Sequence, residues 1–186
     1  MADNPAERVM LRRLKPEDVP VVARFEREIA ELSFPDDPVT DLVFYERRLR
    51  QATIDAKGQP LVGECDGRIV AWAWIGVREN FVTHERYGEL RSFYVVEDFR
   101  ATGYALRLMR ACIEYCATQG LARLTGRTHA GNEAMQSVYE IYGFEAKHVV
   151  YERHIAPAAG RPAAPRARPK PGEDGLFRRP RGDRSR

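Results

Sequence analysis

The chain has 186 residues, of which 44% are hydrophobic and 31% are charged, a composition that fits one soluble globular domain and excludes a long disordered protein. Its net charge of +3 is unevenly distributed, because residues 1–155 carry 21 basic and 24 acidic side chains, whereas residues 156–186 carry nine and three. A slightly acidic body lacks the basic face of a usual nucleic-acid-binding fold, so nucleic acid is expected to bind only through the basic C-terminal segment, if at all.

Cysteine usage and hydropathy limit the cellular setting. Cys65, Cys112 and Cys116 are odd in number and show neither disulfide nor zinc spacing, which favours a reducing compartment. No segment approaches the ~20 apolar residues of a membrane span, and residues 1–7 lack the apolar core of a signal peptide. We therefore predict a cytoplasmic protein with no membrane partner and no metal. Cys112 and Cys116, four residues apart, could form half of a metal site, but two buried small residues are the favoured interpretation.

The N-terminal third predicts one strand followed by two helices. Residues 9–14 form a short strand, and Pro16 then opens a helix, because proline is tolerated and acidic residues are favoured in a first helical turn. Residues 33–37 break that helix. A second helix is predicted from Pro38 to about residue 52.

The middle of the chain predicts three strands. Residues 61–65 and 68–77 flank Asp66-Gly67, the dipeptide that best fits a two-residue hairpin turn. A polar loop over residues 78–88 leads to a third strand over residues 89–96.

After Phe99 the apolar period changes from two to about 3.6, which predicts a helix that ends at Gly120. A strand over residues 121–128, a helix over 132–142 and a last strand over 146–155 follow. The order is β-α-α-β-β-β-α-β-α-β, which predicts an α/β (α+β) fold with a mixed, mostly antiparallel sheet and helices on both faces. Residues 1–155 form the domain, and residues 156–186 are a basic tail, rich in proline and arginine, that we expect to be disordered.

The most informative segment joins the third strand of the middle region to the next helix. It reads Val-Glu-Asp-Phe-Arg-Ala-Thr-Gly-Tyr-Ala over residues 96–105. Small residues at 101, 103 and 105 let a ligand approach the backbone where the free N–H groups and positive end of a helix attract an anion. A pyrophosphate would fit there, although a plain strand-to-helix turn would use the same residues. The segment contains neither a Walker loop nor a Gly-x-Gly-x-x-Gly pattern.

The second informative segment is the helix over residues 132–142. Asn132 suits an N-cap, and Gly143 suits a left-handed C-cap. Tyr139 lies seven residues after Asn132, about two turns, so the two side chains can share a helix face. The phenol of Tyr139 could donate a proton, or its ring could simply pack.

Together the two segments resemble the GNAT superfamily of acyl-CoA-dependent N-acyltransferases. The resemblance rests on Arg100-x-x-Gly103-x-Ala105, followed about 30 residues later by Asn132, Tyr139 and Gly143-Phe144. It covers nearly all of residues 8–155 and leaves the tail outside. Many family members have glycine where this chain has Ala101 and Ala105, which leaves the tightness of coenzyme binding open.

The resemblance implies a site for acetyl-CoA and a proton donor. Backbone N–H groups would cradle the pyrophosphate, the end of the preceding strand would pair with the pantetheine arm, and the Val95 N–H would polarise the thioester carbonyl. Asn132 would bind the pantetheine or cap its helix, and Tyr139 would protonate the leaving thiolate. The residues assigned to the coenzyme are Phe93, Tyr94, Val95, Arg100, Ala101, Thr102, Gly103, Tyr104, Ala105 and Asn132.

The acceptor side needs a group that removes a proton, because an amine with a pKa near 10.4 is mostly protonated at neutral pH. Glu89 is the first candidate base, since some family members, histone-type lysine acetyltransferases among them, carry glutamate at this strand position. A solvent-facing carboxylate at the entry of a strand is the alternative. Other candidates for the base are Glu79, His84 and Glu85, and the residues assigned to the acceptor are Glu31, Tyr45, Glu79 and Tyr87.

The leading hypothesis is therefore an N-acetyltransferase that moves an acetyl group directly from acetyl-CoA to a primary amine on a small molecule or a protein. An acidic body mildly favours a cationic acceptor. Two alternatives are a non-catalytic acyl-CoA-binding regulatory module and an acetyltransferase that its basic tail directs to RNA or ribosomes. The sequence leaves open the acceptor, the acyl-chain preference and the oligomeric state, with which a homodimer is compatible.

Overall fold

A computed structural model describes residues 5–54, 58–151 and 153. The chain divides after Glu145. The part up to that residue contains all the helices and strands reported below, whereas residues 146–151 and 153 form neither. The predicted basic tail, residues 156–186, lies outside the described residues.

The centre of the fold is one five-stranded sheet. Its strands lie in chain order, with antiparallel pairing except between the last two, which are parallel. The predicted mixed, mostly antiparallel sheet is thus confirmed. The strands are β1 (Met10–Arg13), β2 (Gln59–Cys65), β3 (Arg68–Glu79), β4 (Arg86–Val95) and β5 (Leu124–Gly126).

Five α-helices accompany the sheet within the described residues. A short 3-10 turn at Pro16–Asp18 leads into the first of them, so the helix that Pro16 opens begins with a tighter turn. The helices are α1 (Val19–Ser33), α2 (Leu42–Ile54), α3 (Glu97–Arg100), α4 (Tyr104–Thr118) and α5 (Glu133–Ile141).

The helices α1 and α4 cover opposite faces of the sheet. On one face, Trp72 of β3 donates from Nε1 to Glu26 of α1 at 2.6 Å. On the other face, α4 packs so closely that a Cβ on Gly63 of β2 would lie 2.6 Å from the Tyr104 hydroxyl, and a Cβ on Gly88 of β4 would lie 2.7 Å from the Cys116 sulfur. The predicted arrangement with helices on both faces is confirmed.

Turn residues behave as the sequence predicts. Asp66 and Gly67 join β2 to β3 with positive φ at both positions, 49° and 79°. Gly120 and Gly143 follow α4 and α5 in the left-handed region. The hairpin turn and the two helix ends at these four positions were predicted from the residue types alone.

Several predicted bounds and one predicted strand differ from the structure. The second helix begins at Leu42 and not at Pro38, and the strand predicted over residues 121–128 covers only Leu124–Gly126. The polar loop between β3 and β4 is shorter than residues 78–88, because cross-strand pairing continues to Glu79 opposite Arg86. The last predicted strand, over residues 146–155, is wrong over its described part, residues 146–151 and 153. An alternating pattern makes a strand only where a neighbour supplies hydrogen bonds, and the sheet ends at β5.

A bulge in β4 positions the site. Trp74 of β3 lies opposite Ser92, and the next residue, Ile75, lies opposite Leu90, so Arg91 has no partner in the register. A bulge re-aims side chains and increases the local twist. As a result, Arg91 lies on the same face of the sheet as Trp74, over whose ring its guanidinium is placed.

Candidate active site

A cleft opens where β4 extends past β5. The parallel pairing of these strands covers only Gly88–Leu90 of β4, so the edge of residues 91–95 that faces away from β3 has no strand partner among the described residues. Side chains from α1, β4, the β5–α5 connection and α5 line this cleft. It brings together four residues that the sequence assigned to one site, namely Phe93, Tyr94, Asn132 and Tyr139.

The N-terminus of α4 is open. Gly103 precedes the helix with a φ of 77°, and no side chain caps this end. A Cβ on Gly103 would meet no atom within 4 Å, so the backbone faces free space. The Leu106 N–H donates back to the Gly103 carbonyl at 3.1 Å, whereas the N–H groups before it belong to the start of a helix, where backbone donors have no intrahelical partner. This end can therefore present several donors to an anion.

Within the loop before α4, the side chains hold the backbone in place. Arg100 donates from Nε to the Val95 carbonyl at 2.8 Å, and its guanidinium lies 5.5 Å from the centre of the Tyr94 ring. Thr102 donates from its hydroxyl to the Phe99 carbonyl at 2.7 Å. These contacts fix the loop to the end of β4.

Tyr104, which the sequence assigned to the coenzyme, has only its backbone to offer a ligand. Its side chain is fully buried against β2, and burial raises the pKa of its hydroxyl to about 12. Ala101 is exposed and Ala105 half-buried, so neither small side chain fills the space at the helix end.

Tyr139 packs against the end of β5. A Cβ on Gly126 would collide with the Tyr139 hydroxyl, so glycine is required at this position of the strand. The ring also contacts Phe144, with the ring centres 4.8 Å apart. Burial raises the pKa of Tyr139 to about 12. The phenol therefore remains protonated at neutral pH and can donate a hydrogen bond.

The helix that carries Tyr139 is fixed at both ends. Asn132 accepts the Met135 N–H through Oδ1 at 3.1 Å, which confirms the predicted N-cap. Tyr142 donates its hydroxyl to the Leu106 carbonyl in the first turn of α4 at 2.5 Å. The second contact ties α5 to the open end of α4.

Glu89 lies on the face of β4 that carries Arg91. Its Oε2 accepts from Arg78 Nε at 2.8 Å and from Arg91 Nε at 3.3 Å. Burial alone would raise the pKa of Glu89, but the hydrogen bonds and charges of Arg78 and Arg91 outweigh burial and lower it. The carboxylate is thus ionised at neutral pH and is a weak base.

The alternative bases lie in exposed ion pairs on the hairpin between β3 and β4. Glu79 contacts His84 at 2.9 Å, with both side chains more than half exposed. Glu85 contacts Arg123 at 3.3 Å. Neither group is held in a partly buried setting comparable to that of Glu89.

The residues assigned to the acceptor have different immediate contacts. Glu31 pairs with Arg27 on the exposed side of α1. Tyr45 is buried and donates its hydroxyl to the Val39 carbonyl at 2.8 Å, so it holds the connection between α1 and α2. The guanidinium of Arg123 lies over the ring of Tyr87, with its Cζ 4.7 Å from the ring centre.

Arg48, Trp74 and Arg91 lie on the face of the sheet that carries Glu89 and were not identified from the sequence. Arg48 of α2 and Arg91 of β4 both lie over the ring of Trp74, at 5.4 and 5.1 Å from its centre. The only signal in the sequence is the repeat Trp-Ala-Trp at 72–74, which places two large rings on one face of a strand.

Cys112 and Cys116 pack in the core, and burial raises the pKa of both thiols. Over residues 5–54, 58–151 and 153, no group of three or more His, Cys, Asp or Glu side chains is placed to hold a metal ion. None of the helices in that part of the chain has the length and apolar content needed to cross a bilayer.

Sequence comparison identifies relatives of this chain. A model of the acetyltransferase (GNAT) family matches residues 24–144. The curated protein "Uncharacterized N-acetyltransferase YycN" of Bacillus subtilis is 26% identical over 87 residues, which amount to 47% of this chain and 54% of that protein. The chain thus matches about half the length of this curated relative.

Solved structures share the fold at low identity. The ribosomal-protein-alanine N-acetyltransferase of Brucella melitensis is 21% identical with a TM-score of 0.63, over 79% of this chain and 99% of that one. The aminoglycoside N-acetyltransferase AAC(6')-Iy, solved in complex with CoA, is 17% identical with a TM-score of 0.65, over 80% of this chain and 95% of that one. Both share the sheet and helix arrangement described above.

Proposed function

Because the chain belongs to the GNAT acetyltransferase family, we propose that it transfers an acetyl group from acetyl-CoA directly to a primary amine. One observation carries the proposal. The unpaired edge of β4 and Tyr139 line one cleft, and hydrogen bonds from Arg100 to the Val95 carbonyl and from Tyr142 to the Leu106 carbonyl join both to the segment that holds the open N-terminus of α4.

The residues present fit the coenzyme. The first N–H groups of α4, with Gly103 open before them, suit a pyrophosphate, because aligned backbone donors and the positive end of a helix attract negative charge. The free edge of residues 93–95 suits the amide groups of a pantetheine arm, which can pair with it as an added strand would. When bound, acetyl-CoA supplies the thioester that is cleaved.

Tyr139 donates a hydrogen bond to the sulfur of the leaving group in this proposal. A free thiol has a pKa of about 8.5, below the value of about 12 for Tyr139, so complete proton transfer from the phenol would be uphill. Donation of a hydrogen bond stabilises the developing negative charge without that cost. The Val95 N–H polarises the thioester carbonyl from the end of β4.

Glu89 accepts a proton from the acceptor amine, directly or through a water molecule. Its lowered pKa keeps the carboxylate ionised, and Arg78 and Arg91 hold its orientation. A weak base passes the proton on to solvent readily. Glu89 therefore serves chiefly to direct the proton away from the amine as the new bond forms.

Thiol release from acetyl-CoA with a panel of amines tests the function, and Tyr139→Phe tests the role of the hydroxyl. Removal of that hydroxyl should lower kcat by about 10- to 100-fold, with the affinity for acetyl-CoA unchanged. Tyr142→Phe is the matched control, since it removes a hydrogen bond to a backbone carbonyl and should lower stability without a comparable loss of kcat. Binding of acetyl-CoA without release of thiol by any amine would instead favour a non-catalytic binding module.

The coenzyme site is tested with a pair of glycine variants. Gly103 and Gly120 flank the two ends of α4, both have left-handed φ angles, and a Cβ on either would meet nothing within 4 Å. Valine at either position costs roughly 1–2 kcal/mol or more of backbone strain, but only Gly103→Val should weaken acetyl-CoA binding, by about 10- to 100-fold. Equal affinities for the two variants, measured by calorimetry, would mean that the anion site lies elsewhere.

A further inference from the structure

Three arginines converge on the face of β3 and β4 that carries Trp74. Arg48 and Arg91 lie over the Trp74 ring, and Arg78 and Arg91 both donate to Glu89. We call Arg48, Arg78 and Arg91 the arginine cluster. One carboxylate serves three cations, so the cluster carries two positive charges in excess.

The excess charge is partly sheltered from solvent. The side chain of Arg91 is 26% exposed. Burial, together with the charges of Arg78 and Arg48, lowers the pKa of its guanidinium. Cations held close together out of water repel each other, and an anion bound among them relieves that cost.

Neighbouring carboxylates are engaged elsewhere. Glu26 accepts the Trp72 indole N–H, and Glu31 pairs with Arg27. No carboxylate of the described residues lies within ion-pair distance of Arg48. Among the described residues, the arginine cluster therefore keeps its charge surplus.

The position of the cluster links it to the transfer site. Arg91 lines the same cleft as Phe93, Asn132 and Tyr139. Trp74 supports two guanidinium groups by cation–π contact, and a stacked guanidinium keeps its N–H edge available for a planar, bidentate partner. A carboxylate is such a partner.

We propose that the acceptor carries a carboxylate in addition to its amine, and that Arg91 and Arg48 bind that carboxylate. The inference rests on the proposed function, in which Glu89 takes the proton of the acceptor amine and Arg91 lies beside that carboxylate. It reverses the expectation of a cationic acceptor that the acidic body suggests, because the charge within a few ångströms of a ligand outweighs the net charge of the whole domain. A free amino acid and an acidic side chain of a peptide would present the same group.

The test compares L-amino acids with their own C-terminal amides as acceptors, using thiol release with acetyl-CoA and the full chain. The carboxylate forms should have at least about tenfold higher kcat/KM. Peptides with an amidated C-terminus and one internal acidic residue distinguish the two sources of the carboxylate. The inference is overturned if each L-amino acid has the same kcat/KM as its C-terminal amide, and each acidic peptide has the same kcat/KM as the peptide that carries the side-chain amide instead.

Variants assign the effect to the cluster. Arg91→Ala and Arg48→Ala should each reduce the preference for the acid over the amide, and Arg91→Lys should restore part of it, since lysine keeps the charge but not the fork. Arg48 is exposed on α2, so its variant is expected to fold. Arg110→Ala, on the exposed side of α4, is the control and should keep the full preference. A preference that survives both alanine variants would contradict the assignment.

A binding measurement separates this inference from the proposed function. Calorimetry of the same acids and amides with the CoA complex of the protein requires no turnover. If no amine releases thiol, the proposed function fails, whereas tighter binding of the acids than of the amides would still support an anion site. Equal binding of both forms would remove the anion site whatever the turnover.

Discussion

Two groups of arginine and carboxylate side chains lie on the sheet, and their composition is opposite. At β1 and β2, Arg12 donates to Asp18 at 2.6 and 2.8 Å and to Glu64 at 2.6 Å. This group has one cation for two anions, and each side of the guanidinium is used. At β3 and β4, the arginine cluster has three cations for the single carboxylate of Glu89.

The difference separates a structural ion group from one that is suited to a ligand. Arg12 joins β1, β2 and the turn before α1, and Asp18 is only 5% exposed. Both edges of its guanidinium are paired with carboxylates, so we call Arg12, Asp18 and Glu64 the closed group. The arginine cluster relies instead on Trp74 to hold two of its members, and one of these, Arg91, lines a cleft. Ion groups with an uncompensated charge beside a cleft are candidates for binding, whereas closed groups stabilise the fold.

The largest expected effect is a loss of stability in the closed group. Asp18→Asn removes a buried charge from a bidentate pair, which should lower the free energy of unfolding by about 2–3 kcal/mol because Glu64 still pairs with Arg12. Urea unfolding measures the change. Asp66→Asn is the matched control, since the Arg8–Asp66 pair is exposed and should contribute less than about 1 kcal/mol. A loss of the same size in both variants would remove the distinction between a closed group and an ordinary surface pair.

For the arginine cluster and Glu89, a larger effect on activity than on stability is expected. Glu89→Gln should lower kcat by about tenfold, which is below the usual range for proton transfer because a carboxylate with a lowered pKa is a weak base. Its effect on the free energy of unfolding should be about 1 kcal/mol, since the side chain is 27% exposed. Glu79→Gln, in an exposed pair with His84, is the control. A larger loss of kcat in Glu79→Gln would transfer the role of base to that residue.

Local patterns made the backbone features of the proposed donor site predictable. Gly103, Asn132 and Tyr139 depend on a strand-to-helix turn and on spacing along one helix, and both are set by neighbours in the sequence. The Asp66-Gly67 turn is predictable for the same reason. Each of these features concerns residues within about two helical turns of one another.

The proposed acceptor side was less predictable because it depends on contacts between distant segments. Arg91 joins the arginine cluster only through the bulge in β4, and Arg48 reaches Trp74 only because α2 packs over that face. The burial of Tyr45 also depends on such contacts, and its assignment to the acceptor stays a prediction. The predicted strand over residues 146–155 failed in the same way, since pairing is decided by a partner strand and not by alternation alone.

The smallest expected effect is the pH dependence of stability, which also distinguishes the two groups. Burial alone would raise the pKa of Asp18, but hydrogen bonds from Arg12 and from the Lys15 N–H lower it overall. A carboxylate whose pKa is lower in the folded than in the unfolded chain stabilises the fold above its unfolded pKa, about 3.9 for Asp, and this contribution is lost as the pH falls through the folded value.

The contribution of Asp18 to the free energy of unfolding should therefore be constant from pH 7 to 5 and should decrease below about pH 4. Urea unfolding at pH 7, 5, 4 and 3 should show a shallower decrease for Asp18→Asn than for the wild type. Glu89→Gln should alter the decrease less, because its carboxylate is more exposed, and an identical decrease in wild type and Asp18→Asn would show that Asp18 does not carry the acid sensitivity of the fold.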